Sequence, residues 1–452
     1  MKSLRRCLVL TFGCLFFSII PCRSANNPAL EAKVDAFLKP ALDDDLISGA
    51  VLIAKNGNIL LAKGYGPANR EYDIPNTPET KFRLGSMTKQ FTAAAIMLLD
   101  ERGQLNVEDT LTKYYPDYPD GNKITVHHLL THTSGIPNYN TMADYDEKLV
   151  QPYSIDQVID WFKSQPLQFE PGSKFAYSNS GYVLLAGIIE KVSGITYAEF
   201  LRQNIFEPLG MANSGQDVFT TVLKNRATGH GGDGRTVYQA PYRDMPFTSG
   251  AGSLYSTVDD LFLWDRALYT DKLLSKASRD KMFTPYTDNY GYGWFIEQRN
   301  DRKVISHGGA INGFLANIDR YVDDTLVVIN LLNYESTFSR AVNAGLAAIA
   351  LGKEYKPLLA AETLTVPPEI LNGYAGTYRF DFGAEVTVSL DGGRLMFADN
   401  EGTGVSAAAQ SDVLFFLRTR NAMVKFLKGD DGAVNGIYWL QGAQTFRGRK
   451  IS

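Results

Sequence analysis

A serine followed three residues later by a lysine, Ser86-Met87-Thr88-Lys89, is the part of this 452-residue chain best suited to nucleophilic chemistry. Gly85 precedes it, and Thr92 to Leu99 behind it is an alanine-rich apolar run of the kind that forms a buried helix. Residues three apart share a helix face, so a serine in the first turn has the lysine amine beside its hydroxyl. The helix start adds unpaired N–H groups and partial positive charge at the same spot. An amine that takes the serine proton, with donors that hold the resulting oxyanion, turns a weak nucleophile into a strong one. The pattern is short enough to recur by chance, and does so at Ser278-Arg279-Asp280-Lys281. That copy falls in a charged stretch and reads as a solvated helix face.

Two further groups of residues suit the same chemistry. Tyr177-Ser178-Asn179 stands before an apolar helical run, Val183 to Val192. In a cationic pocket the Tyr177 phenol can act as a base or relay a proton to a leaving group. The Asn179 amide can hold a substrate carbonyl and the lysine together. His307-Gly308-Gly309 follows the strand-like Val304-Ile305-Ser306. Paired glycines at a strand end let a substrate approach the backbone. His307 offers a hydrogen bond or a charge to a substrate carboxylate. A second His-Gly-Gly, His230-Gly231-Gly232, sits among Thr228, Gly229, Asp233 and Gly234 and reads as a turn-rich loop without strand character.

Other chemistries find less support. His128 and His132 are four apart on a predicted helix, but Leu129, Leu130 and Thr131 between them lack the glutamate of a zinc hydrolase. With His127 they read as structural histidines, and no metal or cofactor is expected. Phosphate-cradling glycine patterns are missing around Gly308-Gly309. All three cysteines, Cys7, Cys14 and Cys22, lie near the N-terminus. The apolar run Cys7 to Ile20 after Lys2, Arg5 and Arg6, ending near Ser24, reads as a signal peptide of residues 1–24, too short to span a bilayer. The mature chain would then hold no thiol or disulfide and lie in the periplasm or outside the cell. Its net charge shifts from −4 to −8, because Lys2, Arg5, Arg6 and Arg23 leave with the signal. An acidic chain without a basic cluster argues against nucleic acid as a partner, and no membrane span is expected after cleavage.

These residues need a frame. Pro28 to Leu42 has helical periodicity, and Val51-Leu52-Ile53-Ala54 and Ile59-Leu60-Leu61-Ala62 flank Asn56-Gly57, a hairpin signal. Residues 104–245 read as mainly helical, and Val258 to Leu268 as a helix capped by Ser256 or Thr257. From Tyr292 the period shortens: Tyr292–Glu297, Lys303–Ser306, Phe314–Tyr321 and Leu326–Leu332 read as strands, before a helix over Asn343–Leu351. This order predicts an α/β domain, 25–360, whose sheet joins both ends and carries a helical insert. Beyond Pro367-Pro368 seven short strands, starting at Tyr374, Glu385, Leu395, Val413, Met423, Ile437 and Thr445, predict a small β-barrel or sandwich over 365–452.

In this order, Ser86-x-x-Lys89, Tyr177-x-Asn179 and His307-Gly308-Gly309 resemble the penicillin-recognising serine hydrolases, in the branch of class C β-lactamases, D,D-carboxypeptidases, D-aminopeptidases and esterases. Leu129-Leu130-Thr131-His132-Thr133-Ser134-Gly135, Glu207-Pro208-Leu209-Gly210-Met211 and the segment Gly250 to Thr257 look like recurrent structural stretches of that branch. The resemblance covers about residues 30–350. It implies an antiparallel sheet flanked by helices, a mostly helical subdomain beside it, and the site between them. The C-terminal barrel resembles lipocalin-like appendages. By resemblance Ser86 is the acylated nucleophile, Lys89 its base, Tyr177 a partner in proton transfer and Asn179 a substrate ligand. The N–H groups of Ser86 and Ala310 would form the oxyanion hole. Whether Lys89 or Tyr177 takes the first proton stays open. The third motif begins with histidine rather than the lysine of efficient β-lactamases, which favours small peptide, amide or ester substrates, cell-wall fragments among them. A β-lactamase or a catalytically silent penicillin-binding sensor is the alternative.

Ser86→Ala is expected to lower turnover by several orders of magnitude and to abolish labelling by a fluorophosphonate, while Ser278→Ala leaves both intact. Mass spectrometry of the labelled peptide identifies which serine reacts.

Overall fold

Strand residues that are apolar at every position, not every second one, describe a sheet buried on both faces. The segment Gly49–Lys55 shows this. Ala50, Leu52 and Ala54 point into one cluster of buried side chains, and Val51 and Ile53 into another. In the computed structural model of the chain the residues described are 26–232, 237–299, 301–335, 338–358, 364–398, 404–417, 422–429, 431–441 and 444–452. The predicted signal segment, 1–24, lies outside them.

The central sheet has six antiparallel strands in the spatial order Phe295–Arg299, Arg302–Ile311, Phe314–Tyr321, Leu326–Leu332, Gly49–Lys55, Asn58–Tyr65. The last strand of the domain pairs with the first, Gly49 opposite Leu332 and Lys55 opposite Leu326, so both ends of the domain meet in one sheet as expected. On one face lie the N-terminal helix Pro28–Asp43 and the closing helix Ser339–Ala350, joined through Val34, Phe37, Leu38, Val342 and Leu346. On the other lie Thr88–Glu101 and Val258–Ala267, the latter capped by Thr257, whose side chain accepts from the Asp260 N–H. Asn179–Ser193 packs with Val158 and Ile159 of the helix Ile155–Phe162 and covers the buried helix Thr88–Glu101 from outside.

Several boundaries move. The first strand after residue 290 starts at Phe295, and the closing helix starts at Ser339, four residues before the sequence reading placed it. His230–Gly232 is a short strand paired with Val237–Gln239, which corrects the reading of that segment as a loop. Its register is held from outside the segment: the His230 N–H donates to Asn333 O and the Glu335 N–H to His230 O.

After residue 364 a closed barrel of eight antiparallel strands forms, separate from the central sheet. Seven strands were legible in sequence; the eighth, Gly404–Ala409, was not. Its sequence, Gly-Val-Ser-Ala-Ala-Ala, has only one β-branched residue, and its neighbours on either side supply the pairing that its own propensity does not. The barrel interior is filled by large side chains, with Tyr374 stacked on Phe426 at 4.0 Å between ring centroids. From its outer surface Phe416 and Met423 reach the cluster between the sheet and the two helices over its face, which seats the barrel on the hydrolase-like domain.

Two glycines let the strand Arg302–Ile311 lie against the serine turn. Gly85 has φ of +51°, and a Cβ on it would stand 2.8 Å from the backbone N of Ala310. A Cβ on Gly309 would stand 1.9 Å from Leu84 O. Gly309→Ala is therefore expected to push strand and turn apart and lower hydrolysis by about 10²-fold or more, the scale of losing one oxyanion donor. Ester turnover beside a thermal melt measures this, with the fold retained.

Candidate active site

The serine turn is a short 3₁₀ segment, Gly85–Met87, that runs directly into the helix Thr88–Glu101. Thr88 through Leu99 are all buried, so the helix is covered all round and sits in the interior. Its second residue, Lys89, is 0% exposed. The amine lies 3.2 Å from Ser86 Oγ, 2.7 Å from Asn179 Oδ1 and 2.9 Å from Ala251 O. No carboxylate is among these partners. Burial alone holds the lysine well below its ordinary pKa of 10.5. A neutral amine has two N–H groups and one lone pair. Asn179 Oδ1 and Ala251 O can take the N–H groups, which leaves the lone pair for the serine proton.

The Tyr177 loop closes over this pair. The Tyr177 ring centroid is 4.8 Å from Lys89 Nζ, and its phenol hydrogen-bonds with Ser86. Burial raises the phenol above its ordinary pKa of 10.0, with the Ser86 hydrogen bond pulling weakly the other way. Asn179 starts the helix Asn179–Ser193. Its N–H donates to Asn138 Oδ1 at 3.2 Å and its Nδ2 donates to Asn140 Oδ1 at 2.8 Å, which fixes Oδ1 toward the lysine.

The strand Arg302–Ile311 supplies the third side. Ser86, Tyr177, His307, Gly308, Gly309 and Ala310 line one cleft of about 460 Å³. The N–H groups of Ser86 and Ala310 belong to the two backbone stretches that the glycines bring into contact. Donors on two abutting backbones are what an oxyanion site requires.

His307 differs from the expectation that it offers a charge. It is 2% exposed, and burial first, reinforced by the Lys89 amine whenever that is protonated, pulls its pKa down to about 3. Both ring nitrogens are also engaged. Nδ1 donates to Gly308 O at 2.6 Å, since a carbonyl can only accept, and Nε2 then accepts from the Tyr290 hydroxyl at 3.0 Å. At neutral pH His307 is a neutral imidazole with no spare donor. The exposed cation lining the cleft is Arg340, at the start of the closing helix, and its charge is among those that depress His307.

The remaining candidates fall elsewhere. Ser278 is buried, not solvated, and donates its N–H to Ser275 Oγ, the N-cap of the helix Lys276–Met282, while Lys281 turns away to Asp100 at 3.1 Å. His128 Nδ1 accepts from the Thr125 N–H at the start of the helix Val126–Leu130, and His127 Nδ1 meets the Tyr292 hydroxyl. His132 lies past the end of that helix under Tyr177, so the two histidines do not share a face. No cluster suited to a metal occurs among the described residues. Sequence reasoning missed Tyr290, Arg340, the Ala251 carbonyl and Asn138–Asn140. Ala251 lay within a stretch already singled out, Gly250 to Thr257; the others carried no motif. A second cavity of about 460 Å³ lies at the barrel end beside Asp44 and Leu46.

Comparison with known proteins identifies the family. The sequence pattern of the beta-lactamase family matches residues 30–352. A penicillin-binding protein of Bacillus subtilis is 31% identical over 428 residues, 88% of this chain and 94% of that protein. A D-aminopeptidase of Gluconobacter oxydans is 29% identical over 72% of this chain, which spans 62% of that longer protein. Among solved structures the octameric penicillin-binding protein homologue from Pyrococcus abyssi superposes with a TM-score of 0.66 and 26% identity, over 92% of this chain and 99% of its own. A serine beside a buried amine, a phenol above them and an antiparallel sheet strand beside them thus occur in a chain that belongs to the beta-lactamase family, as a serine hydrolase.

Proposed function

We propose that the protein is a secreted or periplasmic hydrolase that forms an acyl-enzyme at Ser86 with small peptides, amides or esters, cell-wall peptide fragments among them. The observation that carries this reading is the buried Lys89 amine, 3.2 Å from Ser86 Oγ and without a carboxylate partner. Ser86 Oγ attacks the substrate carbonyl carbon as its proton passes to the neutral Lys89 amine. Tyr177, held as a phenol by burial, is the weaker candidate for that first step. The N–H groups of Ser86 and Ala310 hold the tetrahedral oxyanion. The C–N or C–O bond then breaks, and the leaving group takes a proton from Tyr177, which recovers one from Lys89. Water hydrolyses the acyl-enzyme by the same path in reverse. Asn179 orients Lys89 and meets the substrate amide. Residues 365–452 form a second domain seated on the first, 25–360. Covalent labelling by a fluorescent penicillin, with and without slow release, separates this reading from a β-lactamase and from a silent sensor.

Substrate charge is read by Arg340 and not by His307, since His307 is neutral and both its nitrogens are engaged. The Gly308-Gly309 backbone lies open to the acyl chain beside it.

Two outcomes follow from these assignments. Lys89 is active when neutral, so kcat/KM should rise with pH through a pKa well below 10.5 and stay flat until Tyr177 ionises; Lys89→Met should be nearly as inactive as Ser86→Ala. A substrate pair differing only as acid and amide should keep a constant ratio of kcat/KM between about pH 5 and 9, because His307 titrates below that range. Arg340→Ala should raise KM for the acid about tenfold and leave the amide unchanged.

A further inference from the structure

The histidine that sequence reading set aside as structural lies directly beneath the Tyr177 phenol. The His132 ring is 4.2 Å from the Tyr177 ring, centroid to centroid, with the planes tilted by 35°. On its other sides it meets Tyr182 at 5.0 Å and Tyr290 at 4.8 Å. It is 1% exposed. Its backbone is in the left-handed region, with φ of +58°, a conformation that non-glycine residues adopt at a cost and that surrounding structure must enforce.

The contacts it makes are placed on either side of one residue. His132 O accepts from the Ala176 N–H at 2.9 Å, and His132 Nδ1 accepts from the Ser178 N–H at 3.2 Å. The residue between them is Tyr177. Its two neighbouring peptides are thus tied to His132, and its ring is stacked on the imidazole. A phenol on a loop would otherwise sample several rotamers. Here backbone and ring are held from one side chain and one carbonyl.

We propose that His132 is the positioning residue for Tyr177: a neutral, Nε2-protonated imidazole that clamps the loop and fixes the phenol over Ser86. Nδ1 accepts a hydrogen bond, so the single proton of the neutral ring is on Nε2. The requirements exclude the obvious replacements. A carboxylate could accept from Ser178 but would place a negative charge near Lys89 and hold the amine protonated. Phenylalanine could stack but could not accept. A lysine or arginine would add a positive charge and no acceptor. Burial above all keeps the imidazole uncharged, and a proton on Lys89 or His307 would disfavour its charged form further.

This inference rests on the role given to Tyr177 above, and the test separates the two. Asparagine tolerates left-handed backbone and can offer Oδ1 to Ser178, so His132→Asn keeps the backbone ties and removes the stacked ring. In wild type it should lower kcat for a nitrophenyl ester about 10- to 100-fold, the scale of a misplaced catalytic group, with KM within about threefold. In a Tyr177→Phe background the same change should cost less than about twofold, because there is no hydroxyl left to position. An equal loss in both backgrounds, or wild-type kcat in His132→Asn, overturns the inference. Wild-type kcat in Tyr177→Phe alone overturns the reading it rests on, and the inference with it. A measurement on the unmodified protein stands beside these in case the variant does not fold. With ¹⁵N-labelled histidine, the ring whose Nδ1 couples to the Ser178 amide should stay a neutral Nε2–H tautomer throughout the pH range of activity. Titration of that ring near its ordinary pKa of about 6.5, or a proton on Nδ1, overturns the clamp.

Discussion

The site depends on one unfavourable act, the burial of an amine with no carboxylate to pair it. A lysine at 0% exposure with two neutral oxygens and a hydroxyl around it is held toward its uncharged form. A carboxylate in the place of the Asn179 amide would restore the charge. The rest of the architecture serves to keep the amine dry and surrounded. The helix that carries it is buried all round, the Ala251 carbonyl comes from a loop on one side, and Asn179 begins a second buried helix on the other. Tyr177 lies over the amine as a lid of low polarity.

Four separate stretches of chain must therefore meet within a few ångströms. The contact between Gly85–Ser86 and Gly309–Ala310 is the tightest of these meetings, since neither glycine has room for a Cβ. It ties the nucleophile turn to the sheet, and the sheet in turn is closed by pairing the domain's first strand with its last. The N–H groups of Ser86 and Ala310 are thus placed by backbone approach and by strand order. The barrel takes no part in this contact; it reaches the sheet through Phe416 and Met423 on the face opposite the site.

Histidines show how strongly environment governs role. Five occur in the chain, all of them weighed in the sequence reading, and no two occupy like surroundings. His128 caps a helix, His132 lies under Tyr177, His230 edges a two-stranded ribbon, and His307 lines the cleft with both nitrogens engaged. Spacing of four between His128 and His132 suggested one helix face. The helix ends at Leu130, and the left-handed turn at His132 sends that ring elsewhere.

What the sequence by itself determined is what local pattern encodes. Ser86 and Lys89 are three apart on one short turn and helix, so their meeting is a local fact. The buried helix after them, the hairpin around Asn56-Gly57, the both-faces-apolar strands and seven of the eight barrel strands follow from periodicity and turn residues. The order of three motifs identified the family. What only the tertiary structure decided are quantities set by groups far apart in the chain: the Lys89–Asn179 contact across 90 residues, the Gly85–Ala310 approach, and the neutrality of His307. A residue type carries its ordinary pKa wherever it stands in sequence. Only the folded surroundings decide how much water it loses and which donors and charges replace that water, which is why the meeting of Lys89 with Ser86 could be read from spacing but His307 could not be seen to be uncharged, nor Arg340 to line the cleft.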